Sequence, residues 1–138
     1  MRPQQWRKPM TTSPNITEDL EAHKYLYLTT VGRKSGLRRR IEIWFTVYDH
    51  RIYLISGGGT RSDWVRNLLV NPAVKIEIGP HCWRGTATPD DAPGHPARER
   101  LAARYQHWTP GEPLTDWART GLVIELRIDA SQPPPATS

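Results

Sequence analysis

The stretch from residue 41 to residue 56 limits the fold most. Ile41, Ile43, Phe45 and Val47 alternate with Glu42, Trp44, Thr46 and Tyr48, the period of two expected of a strand with one apolar face and one mixed aromatic-polar face. Asp49-His50 reads as a turn, and the largely apolar run from Arg51 to Ser56 returns as a partner. A turn that short permits only antiparallel pairing. A lone hairpin is barely stable in water, so the chain must supply further strands or helices to cover its apolar face.

It supplies both. β-Branched and aromatic residues predict a strand over 24–31, and two more over 73–78 and 81–88 form a second hairpin around Gly79-Pro80. A last one spans 121–128, where Leu122, Ile124, Leu126 and Ile128 alternate with Val123, Glu125 and Arg127. Thr17 caps a short helix, and Ser62 caps one over 63–71 with Trp64, Val65, Leu68 and Leu69 as its buried stripe and Pro72 as its stop. A further helix over 97–108 places Ala97, Leu101, Tyr105 and Trp108 on one stripe and Arg98, Arg100 and Arg104 outside it. The expected fold class is mainly β with α (α+β): a six-stranded antiparallel barrel with two or three helices outside, since closure removes exposed edges. The 138 residues fit one domain over 16–130, with a flexible arm at 1–15 that carries Trp6 and a disordered, proline-rich tail at 131–138.

Several function classes drop out. No apolar run reaches about 18 residues and the N-terminus lacks an apolar signal core, which points to a cytoplasmic protein with no transmembrane segment. The single Cys82 has no partner for a disulfide or thiol pair and reads as a packing residue. His23, His50, His81, His95 and His107 lack metal-ligand spacing and no serine sits in a nucleophile elbow, so neither a metal site nor a hydrolytic triad is expected. The net charge of +5 calls for an anionic partner. Nucleic acid is disfavoured, because the cations cluster in one loop rather than along a helix or aromatic platform. A small anionic ligand remains, bound by a monomer or homodimer.

Two segments suit such a ligand. In Gly32-Arg33-Lys34-Ser35-Gly36 two glycines free the backbone to turn amides inward, beside two cations and a hydroxyl. With Arg38, Arg39 and Arg40 the segment holds five cations in eight residues, which repel one another unless an anion relieves them. The second segment, Gly57-Gly58-Gly59, runs into the helix start at Ser62, where close backbone approach and exposed amides favour an anion or an electron-rich ring edge. Trp44, on the polar face beside Glu42, is the aromatic expected in a pocket.

Taken in order, Leu28-Thr29-Thr30 and the loop to Gly36, Arg39, the Trp44 strand, Ser56 to Gly59, Trp64, and Asn67 to Pro72 resemble the deazaflavin (F420)-dependent nitroreductase and quinone reductase family. The resemblance implies a split β-barrel related to flavin-binding oxidases. It implies that Arg33, Lys34, Ser35, Gly36 and Arg39 hold the phosphate and oligoglutamate tail of coenzyme F420, and that Ser56, Gly57, Gly58 and Trp64 line its ring. A substrate-side tyrosine of the family is matched by Trp44, and its tyrosine-rich wall by Tyr105 and Trp108. The implied reaction is hydride transfer to a small hydrophobic acceptor, namely a quinone, nitroaromatic or activated enone. The cofactor carries that chemistry, so no catalytic side chain is required, with Tyr48 as a candidate proton donor. FMN is the alternative cofactor, and a non-enzymatic barrel binding haem or a fatty acid-like ligand is the alternative function.

Overall fold

The computed structural model describes residues 16–129; the arm expected at 1–15 and the tail expected at 131–138 lie outside the described residues. After a 3-10 turn at Glu18–Ala22 come strands β1 (Leu26–Val31), β2 (Arg38–Ile43), β3 (Thr46–Tyr48) and β4 (Arg51–Ser56). A second 3-10 turn (Gly59–Arg61) leads into helix α1 (Asp63–Val70), then β5 (Ala73–Ile78), β6 (His81–Asp90), α2 (Pro96–Gln106), α3 (Asp116–Thr120) and β7 (Leu122–Ile128). The strands form one sheet in the order β2-β1-β5-β6-β7-β4-β3. Every pairing in it is antiparallel.

Seven strands replace the expected six because the strand predicted over 41–48 is broken at Trp44-Phe45, and its halves β2 and β3 occupy opposite edges of the sheet. Two residues bridge roughly 10 Å at most. The edges therefore lie close together, and the sheet curls into a barrel split along that seam. The break is held by side chains that replace the missing ladder. The Tyr105 hydroxyl accepts the Phe45 N–H at 3.2 Å and donates to the Lys24 carbonyl at 2.7 Å. Arg104 donates to the carbonyls of Phe45, Glu21 and His23. The Glu21 carboxylate accepts from the Thr46 hydroxyl and the Val47 N–H, each at 2.7 Å.

Leu26, Leu28, Phe45, Ile52, Leu54, Leu68, Ile76, Ile78, Ile124 and Leu126 fill the concave side as one core. A second cluster of Tyr53, Ile55, Ala97, Leu101 and Val123 lies between α2 and the outer face of β4 and β7. Strand β4 is thus buried on both faces from Ile52 to Ser56, which is why it reads as a continuous apolar run. Asp49 and His50 both take positive φ (53° and 61°), the mirror-image turn whose twist suits a two-residue hairpin.

The helices depart from the sequence pattern in three places. In α1 the buried stripe includes Asn67 in place of Leu69, which is 51% exposed. Helix α2 ends at Gln106 and His107 turns left-handed (φ 59°), so Trp108 falls outside it. Arg98, placed outside the stripe, is only 3% exposed. Its guanidinium reaches the carbonyls of Ala92, Ala118, Arg119 and Gly121 at 3.0, 2.9, 3.2 and 2.7 Å, tying α2 to the link that precedes it and to the C-terminal end of α3. Helix α3 itself was not expected; Thr115 caps it by accepting the Ala118 N–H at 3.2 Å.

Candidate functional site

Strand register sorts the basic segment by face. Thr30 of β1 pairs with Arg39 of β2 and Leu28 with Ile41, so Arg39 shares the concave side with Thr30 and Ile41, while Arg38 and Arg40 stand on the outer side. The loop between the strands is closed by its own backbone: the Gly32 N–H donates to the Leu37 carbonyl at 2.7 Å and the Gly36 N–H to the Gly32 carbonyl at 2.8 Å. The Ser35 hydroxyl accepts the Leu37 N–H at 3.1 Å. A Cβ on Gly32 would sit 2.7 Å from that hydroxyl, and Gly36 needs its positive φ of 72°. The two glycines therefore build the turn rather than offer their own amides. Among the described residues only the Lys34 and Ser35 amides of this loop have no acceptor.

Asn67 of α1, 4% exposed, anchors the loop from behind. Its Oδ1 accepts from the Arg33 N–H at 3.1 Å and from the Arg33 guanidinium at 2.9 Å, and its amide donates to the Thr30 hydroxyl at 3.3 Å. Arg33 also pairs with Asp63 at 3.4 Å. On the outer side Arg40 pairs with Glu77 at 3.0 Å and lies 4.0 Å from the Tyr27 ring centre. The five-cation segment is thus partly neutralised within the protein. Lys34, Arg38 and Arg39 have no carboxylate at ion-pair distance among the described residues.

The loop, β2 and the first turns of α1 enclose an open groove of about 810 Å³. Arg33, Lys34, Ser35 and Arg39 line it together with Trp64, Asp63 and Asn67, so five of the expected residues meet in one place. Gly36 shapes the turn without lining the groove. Ser56, Gly57 and Gly58 lie outside the lining but adjoin its α1 wall. The Ser56 hydroxyl is 2.9 Å from that of Ser62, the residue before α1, and donates to the Gly59 carbonyl at 3.0 Å. Ser62 is spent on this contact and makes no side-chain cap on α1.

The glycine corner leads to an aromatic cluster at the barrel seam. A Cβ on Gly57 would lie 2.6 Å from Trp117. Trp117 meets the Trp44 ring edge-on at 5.4 Å, and Trp44 stacks parallel on Tyr105 at 4.5 Å. Two of the three expected substrate-side residues therefore come together. Trp108 does not join them; its indole N–H goes to the Glu112 carbonyl at 3.0 Å. Tyr48 does not line the groove either and faces Arg100, 5.4 Å from its ring centre. Burial holds the Tyr105 phenol above its ordinary pKa, so its hydroxyl stays a neutral brace. Trp117, Asn67 and Asp63 were not expected at the site. The signal for Trp117 was the Thr115-Asp116 capping pattern, and the signal for Asn67 was a polar residue on the otherwise apolar stripe of α1.

Among the described residues no group of three or more His, Cys, Asp or Glu could hold a metal ion, and no helix is long and apolar enough to cross a membrane. The family model for F420H(2)-dependent quinone reductases matches residues 1–125. Among solved structures, an F420 reductase shares 26% identity at a TM-score of 0.60, over 80% of this chain and 91% of that one. Two others share the fold: a pyridoxamine 5'-phosphate oxidase-like protein from Listeria innocua (21% identity, TM-score 0.62, 85% and 93% covered) and the haem storage protein HutZ from Vibrio cholerae (18%, 0.62, 86% and 91%). No curated protein matches the sequence significantly.

Proposed function

The chain belongs to the F420H(2)-dependent quinone reductase family, a family of oxidoreductases, and on that premise we propose how its residues divide the work. Lys34, Arg39 and the free amides of Lys34 and Ser35 grip the anionic phosphate and tail of F420, with Arg33 held in place by Asn67. Trp64 and the Ser56-Gly57-Gly58 corner line the deazaflavin, and Trp44 and Tyr105 form the wall against which the electron acceptor lies. One observation carries this reading: Lys34 and Arg39, without carboxylate partners among the described residues, share a groove with an indole at the start of α1.

When bound, the deazaflavin supplies the hydride. The protein's part is to bind, orient and keep water out. The aromatic cluster is suited to that part, because stacked and edge-on rings form a rigid apolar wall with few rotatable bonds. Its Tyr105 hydroxyl is committed to Phe45 and Lys24, so the proton that completes reduction of the acceptor comes from solvent rather than from this phenol. Quinones are the acceptor class this reading favours, with nitroaromatics and activated enones as further acceptors of the same hydride.

A parallel titration with F420, nicotinamide dinucleotide, FMN and haem tests the assignment. F420 is expected to bind with the highest affinity and to support turnover of menadione in its reduced form. Binding of FMN or haem in preference to F420 would overturn it in favour of a different ligand on the same barrel.

A further inference from the structure

The outer face of the same sheet carries a second depression of about 600 Å³, and the strand register explains its charge. Thr29 of β1 faces Lys75 of β5, and Lys75 faces Arg84 of β6, so a row across three strands ends in two cations directly opposite each other. Arg38 of β2, opposite Val31, adds a third from the neighbouring row. All three line the depression. Like charges directly opposite on a sheet destabilise it, yet none of the three has an acidic partner among the described residues. The one acid in the lining, Asp129, accepts the Thr86 hydroxyl at 3.4 Å. Arg40, on the same face, is balanced by Glu77; the three around the concavity are not.

We propose that this depression is a second anion site that takes an extended polycarboxylate. The cations stand on β2, β5 and β6, three strand spacings apart in all, or roughly 14 Å. Carboxylates spaced along a chain match that separation better than one compact anion. Arg38 lines both this depression and the first groove, so the two adjoin at the edge strand β2. The polycarboxylate has two sources: the oligoglutamate tail of F420 seated in the first groove, which rests on the reading above, or a free oligo-γ-glutamate.

The test compares three probes, F420 with its tail, F420 trimmed of its glutamates, and free oligo-γ-glutamate, on the wild type and on Lys75→Gln/Arg84→Gln. Deazaflavin fluorescence reads the first two. Cys82, half-buried in the depression, reads the third through the rate of its alkylation by a charged thiol reagent. If the tail is the ligand, tailed F420 binds the wild type roughly fivefold tighter than trimmed F420, as expected of two exposed ion pairs, and the double variant abolishes the difference. If the ligand is free, the difference is absent but oligo-γ-glutamate protects Cys82 in the wild type and not in the variant. The variant should melt at or above the wild-type temperature, since it removes an opposed pair of like charges. Should neither tail preference nor Cys82 protection depend on Lys75 and Arg84, the site is overturned even if F420 binds. Loss of all F420 binding with Cys82 still protected would instead sink the cofactor reading and leave this site standing.

Discussion

Replacing Lys34 and Arg39 with glutamine is the most direct perturbation of the proposed cofactor grip. Both line the groove and neither is neutralised by a carboxylate among the described residues, so their charge is available to a bound anion. A hydrogen bond to a charged group contributes about 1.5–3 kcal/mol when sheltered, and an exposed ion pair about 0.2–1 kcal/mol. Both side chains stand in an open groove, so about 1 kcal/mol each is a fair middle value, and about 2 kcal/mol together corresponds to a roughly 30-fold rise in Kd for F420. The loss should shrink as salt is raised, because the Debye length falls from about 10 Å at 0.1 M to about 3 Å at 1 M. The control must remove two charges without touching the fold. Arg98 and Arg100 look like surface residues in the sequence but are unsuitable, since Arg98 holds four carbonyls and Arg100 reaches the Val47 carbonyl at 3.1 Å. Arg51→Gln/Arg119→Gln is the proper comparison: both guanidinium groups are exposed and outside the groove, and the largely buried Glu125 that Arg51 pairs with keeps Arg127 as a partner. Fluorescence titration of the two double variants at two salt concentrations decides the matter. Equal weakening in both would refute the loop as the anion grip, because only net charge would then be at work.

Four further outcomes are expected. Asn67→Asp keeps the bonds to Arg33 and lets the Thr30 hydroxyl donate instead of accept, so its melting temperature should stay within a few degrees of wild type while F420 affinity falls several-fold from the added negative charge; a large loss of stability would show that the amide's donor is indispensable. Gly57→Ala drives a Cβ to within 2.6 Å of Trp117 and should alter the near-ultraviolet circular dichroism of the aromatic cluster, whereas Gly94→Ala, with no atom within 4 Å, should leave it unchanged. Arg98→Met strands the buried carbonyls of Ala118 and Gly121 and should cost about 3 kcal/mol, a drop of roughly 10 °C in Tm measured by calorimetry; a drop below 3 °C would mean that α3 is held by other contacts. Burial raises the Tyr105 and Tyr53 pKa values above the usual 10.0, so folding favours the neutral phenols. That stability is complete below the unfolded-state value and is lost as pH climbs through the folded-state values, so denaturant midpoints should be flat through neutrality and fall on the alkaline side of 10.

Much of the strand layout was legible because it follows from local periodicity and turns. The hairpin at 41–56 and the pair at 73–88 announced themselves through alternation and through Asp49-His50 and Gly79-Pro80. The break at Trp44-Phe45 did not, since alternation runs through it without interruption; only the contacts of Glu21, Arg104 and Tyr105, distant in sequence, show why the ladder ends there. The same holds for the site. The basic loop and the helix start at Trp64 could be found as motifs, but the division of Arg38, Arg39 and Arg40 between two faces depends on a pairing register with β1. Asn67 looked like a lapse in an apolar stripe because its partner, Arg33, is 34 residues away.

The arginines illustrate why composition alone misplaces charge. A barrel split by a two-residue break leaves carbonyls without strand partners, and a five-residue helix such as α3 leaves most of its carbonyls without helical ones. A buried carbonyl left unpaired costs about 1–3 kcal/mol, and a long side chain with a forked set of donors can satisfy several at once. Arg104 does so at the seam and Arg98 at α3, while Arg100 takes the single carbonyl of Val47 and pairs with Glu18. These three cations are consumed by the topology, whatever the protein binds. Among the described residues, the cations that line the two depressions and have no ion-pair partner are then Lys34, Arg38 and Arg39 on and around β2, and Lys75 and Arg84 beyond it on the outer face; Lys24, Arg61 and Arg66 are likewise unpaired but line neither. The five lining cations reach across the sheet from its β2 edge to its middle strand β6, so a single elongated anion is better suited to them than two unrelated compact ones.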